Sequence, residues 1–267
     1  MCNLSAMTEA TQDRRTSKTA PPRQDSVDDA EIARFAAVAQ EWWDPRGKFA
    51  PLHKMNPIRL TVIRDAICNQ FGRDPLADKP LAGLTVVDLG CGGGLICEPL
   101  SRLGAIVTGI DAGAETVEIA RAHAEQSGIG VDYRHTTAEA LADAGERFDV
   151  VLNLEVVEHV ADVAGFMTAA GKLTKPGGLQ IVTTLNRTAR SMALGIVAVE
   201  YLLRWVPRGT HDWRKFMKPS EVAAHLRNAG LIVDRVVGLT YNPLADSWRV
   251  SDDLGVNYVI VAHKSGN

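Results

Sequence analysis

The hydrophobic rhythm of this chain changes once, near residue 84. Before that point a helical pattern starts near Ser26, with Asp28 and Asp29 as acidic helix-start residues. Ile32, Phe35, Ala36, Ala39 and Trp43 follow at helical spacing, so one face should bury. Asp44-Pro45-Arg46-Gly47 breaks the pattern, and Pro51 and Pro57 bracket what reads as a loop carrying His53, Lys54 and Asn56. A second helix is expected over 58–69. From residue 84 short apolar or β-branched runs take over at 84–89, 105–110, 131–135, 148–154 and 179–184. Helical stretches near 95–103, 113–127 and 160–173 separate most of them. This alternation predicts right-handed βαβ crossovers and a parallel sheet covered on both faces. A last helix should run from Lys218-Pro219-Ser220, with Glu221 in its first turn, to Gly230, before strands near 231–239 and 256–263.

Composition narrows the function classes. The 267 residues carry a net charge of −3, which offers no basic face for nucleic acid. Residues 1–28 are polar, without the apolar core of a secretory signal, and read as a disordered tail ahead of a 29–267 domain. Cys2, Cys68, Cys91 and Cys97 show no paired framework, which fits reduced thiols in a cytoplasmic setting.

The chemistry begins at Asp88-Leu-Gly-Cys-Gly-Gly-Gly94, directly after the strand Thr85-Val-Val-Asp-Leu89. Glycines there let the backbone turn sharply and approach a ligand without Cβ interference, although a purely conformational turn uses the same residues. Asp111 ends the next strand, where an acid can accept hydrogen bonds from the ribose of a nucleoside held by Gly90 and Gly92. Its plainer role is a helix cap, which is compatible with the first. A dinucleotide fingerprint fits poorly, because its third small position falls on Leu95. Asp88-x-Gly90-x-Gly92-x-Gly94 instead resembles the first motif of class I methyltransferases, which use S-adenosylmethionine.

An ordered set of further motifs carries a narrower resemblance. Phe35-x(6)-Trp42-Trp43-Asp44, Pro51-Leu-His53 and Asn56-Pro-x-Arg59 precede the glycine loop, and Glu155-Val-Val-Glu158-His159 and Lys175-Pro-Gly-Gly178 follow it. Thr184-Leu-Asn-Arg187, Glu200-Tyr201, Val206-Pro-x-Gly-Thr-His-Asp212, Lys215-Phe216 and Tyr241-Asn-Pro243 complete the set. Together they resemble the bacterial ubiquinone biosynthesis O-methyltransferases from about residue 29 onward. The resemblance implies a seven-stranded, mostly parallel α/β sheet of class I methyltransferase type, with its last strand antiparallel. It also implies both O-methylations of the pathway, on a 2-polyprenyl-6-hydroxyphenol and on demethylubiquinol, and other ubiquinone-biosynthesis enzymes as partners. Cofactor contacts are implied at Arg59, Gly90, Asp111 and Leu154. Arg59 could pair with the cofactor carboxylate in a fork, or be an ordinary surface arginine.

Glu155, Glu158 and His159 fall at the end of the fourth strand, and three readings stand beside one another. His159 can take the phenolic proton as a general base, with Glu158 beside it. Alternatively, the trio can hold Mg²⁺ or another divalent cation that binds adjacent substrate oxygens, as the resemblance to eukaryotic relatives implies. Or the stretch merely caps a helix and shapes a wall. The remaining irregularity is an insertion at 187–217. Its apolar run 192–206 is shorter than the roughly 20 residues a bilayer span needs, and Glu200 and Arg204 interrupt it. Flanking Arg187, Arg190, Arg208, Arg214 and Lys215, with Trp205 and Trp213, fit peripheral docking on anionic lipid at the inner face of the plasma membrane. A lid over the active site is the competing expectation.

Overall fold

Val86 and Val87 are both fully buried although they point to opposite faces of one strand, so that strand must be covered on both sides. The computed structural model describes residues 26–193 and 212–266, so residues 1–25 of the expected 1–28 tail lie outside them. Strands β1 (Thr85–Leu89), β2 (Ile106–Asp111), β3 (Asp132–His135), β4 (Phe148–Leu154) and β5 (Thr174–Leu185) are mutually parallel neighbours in the order β3-β2-β1-β4-β5. Helices α1 (Asp29–Ala36) and α2 (Ala50–Gln70) precede them. Between the strands lie α3 (Cys97–Arg102), α4 (Ala114–Ser127), α5 (Ala138–Asp143) and α6 (Val163–Leu173). After β5 come α7 (Ala189–Ser191), α8 (Pro219–Asn228), β6 (Leu231–Asn242), β7 (Ser247–Ser251) and β8 (Asn257–Lys264).

The sheet has eight strands, one more than expected, in the order β3-β2-β1-β4-β5-β8-β6-β7. β8 runs antiparallel to both β5 and β6. The additional strand is β7, which folds back on an extended β6 through a turn at residues 243–246. Its exposure pattern lacks a continuous apolar run, so periodicity had little to register. Alternating residues divide the core. Val86, Val150, Ile181 and Val259 pack with α2, α3 and α4, while Val87, Val151, Val182 and Ile260 pack with α5, α6 and α8.

The expected loop at 51–57 is part of α2. Pro51 falls in the first turn, where its missing N–H has no partner to lose. Pro57 lies inside the helix and removes one backbone bond, but Met55, Asn56, Arg59, Ile63 and Ile67 all bury along the same helix. Tertiary burial overrides the local signal. Strand order reverses between β1 and β4, and the crevice at the carboxyl ends of these strands is where an open α/β sheet receives its ligand.

Candidate active site

Beyond that crevice, the β1 turn is forced into a conformation that favours glycine. Gly90 and Gly92 have φ of +68° and +54°. A Cβ on Gly90 would lie 2.6 Å from Val156 Cγ2, and one on Gly92 would lie 2.5 Å from the Trp42 ring. Trp42 therefore lies directly on the turn, stacked on Phe49 at 3.8 Å, and its buried Nε1 has no partner among the described residues. Trp43 adds a second tie, donating from Nε1 to the Gly93 carbonyl at 2.9 Å. Asp111 fastens the other side of the turn. Its Oδ2 accepts from the Gly92 amide at 3.1 Å and its Oδ1 from the Gly113 amide at 2.8 Å. Burial nevertheless holds its pKa above the ordinary carboxylate value, against those two amides. Gly113, not Asp111, is the N-cap residue of α4.

One open cavity joins these groups to the β4–α6 connection. Gly90, Gly92, Asp111, Glu139, Glu155 and His159 all line it. Glu139 stands in the first turn of α5, with both carboxylate oxygens buried and unpartnered among the described residues. Glu155 has φ +57°, an uncommon left-handed value for a residue with a side chain. It is held there by its amide donating to the Thr183 carbonyl and by the Thr183 hydroxyl donating to its Oε1, both at 2.9 Å. Glu158 lies beside it, its carboxyl in contact with that of Glu155 and accepting from the Thr184 hydroxyl at 2.7 Å. Burial, and then the charge of Glu155, hold the Glu158 carboxyl well above its ordinary pKa.

The remaining wall comes from the far end of the chain. Ser26, Val27, Asp28, Glu31 and Phe35 line the same cavity, and the Ala161 amide donates to the Ser26 carbonyl at 2.7 Å. The expected boundary between residues 28 and 29 thus cuts through the cavity wall. Glu31 is buried, and its Oε2 lies 3.3 Å from His159 Nδ1. Lys215 Nζ reaches Glu31 Oε1 at 3.1 Å and Asp28 Oδ2 at 3.3 Å. The hydrogen bond from His159, helped by Lys215 and opposed by burial, holds Glu31 down to about 2. Phe35 meets the His159 ring edge-on, with centroids 5.3 Å apart.

A methyltransferase-domain family matches residues 87–182. The chain is 54% identical over 242 residues to a ubiquinone biosynthesis O-methyltransferase of Chelativorans sp. (strain BNC1), covering 91% of this chain and 96% of that protein. It is 55% identical over 239 residues to the protein of the same name from Brucella anthropi, covering 90% and 96%. This chain belongs to the ubiquinone biosynthesis O-methyltransferase family. The fold is that of class I methyltransferases. It is similar to magnesium protoporphyrin IX methyltransferase from Synechocystis PCC 6803 with bound SAH, with a TM-score of 0.59 at 17% identity over 88% of this chain and 100% of that one.

The ubiquinone biosynthesis O-methyltransferase family motifs fall around the cavity unevenly. Arg59 is buried, its Nε donating to Asn56 Oδ1 at 3.1 Å, and it feels the charges of Glu155 and Asp88. It is no surface arginine, but it stands behind the lining rather than in it, as does Leu154 at the end of β4. Glu158 faces a second, more polar depression bordered by Arg187, Lys215 and His225. Among the described residues, no three His, Cys, Asp or Glu side chains converge as metal ligands. The expected trio of Glu155, Glu158 and His159 does not fit a divalent cation as placed. The two glutamates are engaged by Thr183 and Thr184, and His159 Nδ1 is engaged by Glu31. Sequence reasoning missed Glu31, Trp42 and Glu139 as cavity residues. Glu31 registered only as one acid in an amphipathic helix, Trp42 only as part of a family motif, and nothing in the local sequence marked Glu139.

Proposed function

We propose that this chain performs both O-methylations of ubiquinone biosynthesis, on a 2-polyprenyl-6-hydroxyphenol and on demethylubiquinol, with His159 as general base. The observation that carries the reading is the single cavity lined by the glycine turn, Asp111 and His159. The chain is an S-adenosylmethionine-dependent methyltransferase by family and fold, and three features of the wall suit that cofactor. Gly90 and Gly92 leave a Cβ-free approach, and Glu139 keeps two buried acceptor oxygens that suit an amino donor. Asp111 retains lone pairs beyond the two amides it accepts, enough for a ribose hydroxyl. Arg59 and Asp88, buried near one another behind the lining, are groups of the kind that a methionyl carboxylate and ammonium require.

When bound, S-adenosylmethionine supplies a methyl group on a positively charged sulfur, and the bond to that carbon breaks with its electron pair returning to sulfur. The chain's task is to align the phenolic oxygen, take its proton and exclude water. A carboxylate can only accept, so the Glu31–His159 contact places the imidazole proton on Nδ1. Nε2 is then the nitrogen left for the substrate hydroxyl. An unperturbed phenol has a pKa near ~10, so transfer to a neutral imidazole is uphill unless it accompanies carbon–oxygen bond formation. Glu158, its carboxyl held above the ordinary range by burial and bonded to the Thr184 hydroxyl, lies outside the cavity lining and is not positioned to take that proton.

Membrane access belongs to the same proposal. Among the described residues no helix is long and apolar enough to cross a bilayer. Most of the apolar run 192–206 lies outside the described residues. Its described flanks hold their cations in ion pairs: Arg187 with Glu221, Arg190 with Asp253, Arg214 with Asp212, and Lys215 with Asp28 and Glu31. We therefore assign any docking on anionic lipid to residues 194–211 instead of these flanks. Vesicles rich in anionic lipid should retain the protein at low salt, and deletion of 194–208 should release it. Unchanged retention would place the contact elsewhere. The catalytic proposal is tested by incubating the protein with labelled cofactor and short-chain forms of both substrates. Methyl transfer to both is expected; cofactor binding without transfer to either would overturn the assignment.

A further inference from the structure

We propose that Glu31 is the positioning residue of the methyl-transfer site, holding His159 through Nδ1 so that Nε2 meets the substrate hydroxyl. This rests on the reading of His159 as base.

The contact spans 128 positions of sequence, and it is the only hydrogen bond to the imidazole found among the described residues. Glu31 is buried at 7% relative exposure, so its carboxylate has little water to turn toward. It is committed on both oxygens: Oε2 faces His159 and also accepts from Arg34 at 3.2 Å, and Oε1 faces Lys215 at 3.1 Å. Phe35, one helical turn further along α1, packs edge-on against the same ring at 5.3 Å. The imidazole is therefore fixed by a hydrogen bond and by an aromatic wall, both delivered by α1. An acid that orients a histidine in this way selects its tautomer and stabilises the imidazolium formed when the base acts. In the transfer step the substrate O–H bond breaks, an Nε2–H bond forms, and Glu31 remains ionised throughout.

The competing role is a latch. Asp28 and Glu31 share Lys215, so the acid could serve only to seat α1 over the cavity. A double-mutant cycle separates the two, because a residue that acts only through His159 has nothing left to do once the imidazole is gone. Steady-state kinetics would be measured for wild type, Glu31→Gln, Glu31→Asp, His159→Ala and the His159→Ala/Glu31→Gln pair, with cofactor Kd by calorimetry. Glu31→Gln should lower kcat on the order of 10- to 100-fold, with KM for the phenol and cofactor Kd within about twofold. Glu31→Asp should recover part of the loss, because it keeps the charge. Adding Glu31→Gln to His159→Ala should cost nothing further.

An equal loss from Glu31→Gln in both backgrounds would overturn the proposal in favour of the latch. So would an unchanged kcat in Glu31→Gln while His159→Ala loses activity, and in both cases the base assignment would stand. Full activity in His159→Ala would remove the base assignment, and this proposal with it.

Discussion

The two halves of the cavity are assembled by different means. On the β1–β2 side the turn and its acid lie within one βαβ unit, a strand, a glycine turn, a helix and Asp111 at the end of the next strand, with Trp42 and Trp43 packed on it from outside. The side chain there works through backbone amides, Gly92 and Gly113. On the β4–α6 side the proposed base and the acid that faces it are 128 residues apart, and the acid is also held by Lys215 from a third region of the chain. A local half can be carried by a short motif across many substrates. The long-range half exists only in the folded chain, so α1, the β4 end and the region around Lys215 must be seated together before the imidazole is aimed.

Breaking the long-range half at its centre should have the largest effect. His159→Ala should reduce kcat by about 10²- to 10⁴-fold while leaving cofactor Kd near the wild-type value, checked by methyl-transfer kinetics beside calorimetry. Breaking the local half should do the reverse. Gly92→Ala places a Cβ 2.5 Å from the Trp42 ring at φ +54°, so it should weaken cofactor binding at least tenfold and lower stability by about 1–3 kcal/mol, read from calorimetry and urea unfolding. A Gly92→Ala protein with normal affinity would show that the turn does not touch the cofactor.

A subtler difference concerns charge. Burial pushes the Asp88 carboxyl up to about 7, although the Cys97 thiol donates to it and Arg59 lies near. A folded-state pKa raised above the ordinary 3.8 means that the folded protein binds the extra proton. The stabilising contribution is complete below about pH 3.8 and is lost as pH rises through about 7. Asp88→Asn should flatten the pH dependence of unfolding free energy across that window. A cofactor ammonium arriving beside Asp88 should drive the proton off, so calorimetry near pH 6.5 in buffers of different ionisation enthalpy should detect proton release. No release would place the ammonium elsewhere. The smallest effect is expected from Lys215→Met. Its side chain is 38% exposed, so losing the pairs to Asp28 and Glu31 should cost under about 1 kcal/mol in urea unfolding and a few-fold in kcat.

The same contrast explains what the amino-acid sequence disclosed. β1, β2, β4, β5 and the Gly90–Asp111 pair were legible because burial of the inner strands leaves apolar runs and because the turn needs glycine, whereas the edge strand β3, Asp132–His135, was placed by the rhythm around it. β7 was hidden because an edge strand with one partly exposed face carries no such run. Pro51 and Pro57 misdirected the reading of α2, whose burial along the helix decides its form. Glu155 and His159 were identifiable by family motif, yet which nitrogen of His159 is free could not be read without Glu31. Nor could the separation of Glu158 from the cavity, which follows from the Thr184 hydroxyl and the turn at Glu155. Trp42 lies in a motif, but its place on Gly92 is a packing fact that no spacing encodes.

The most direct test of the central claim is a single-turnover measurement with cofactor-loaded protein and short-chain demethylubiquinol, comparing wild type with His159→Ala. Methyl transfer should be fast in wild type and slowed by at least about a hundredfold in the variant, with cofactor occupancy equal in both. Equal rates would show that the proton leaves by another route and would contradict the account of how this cavity works.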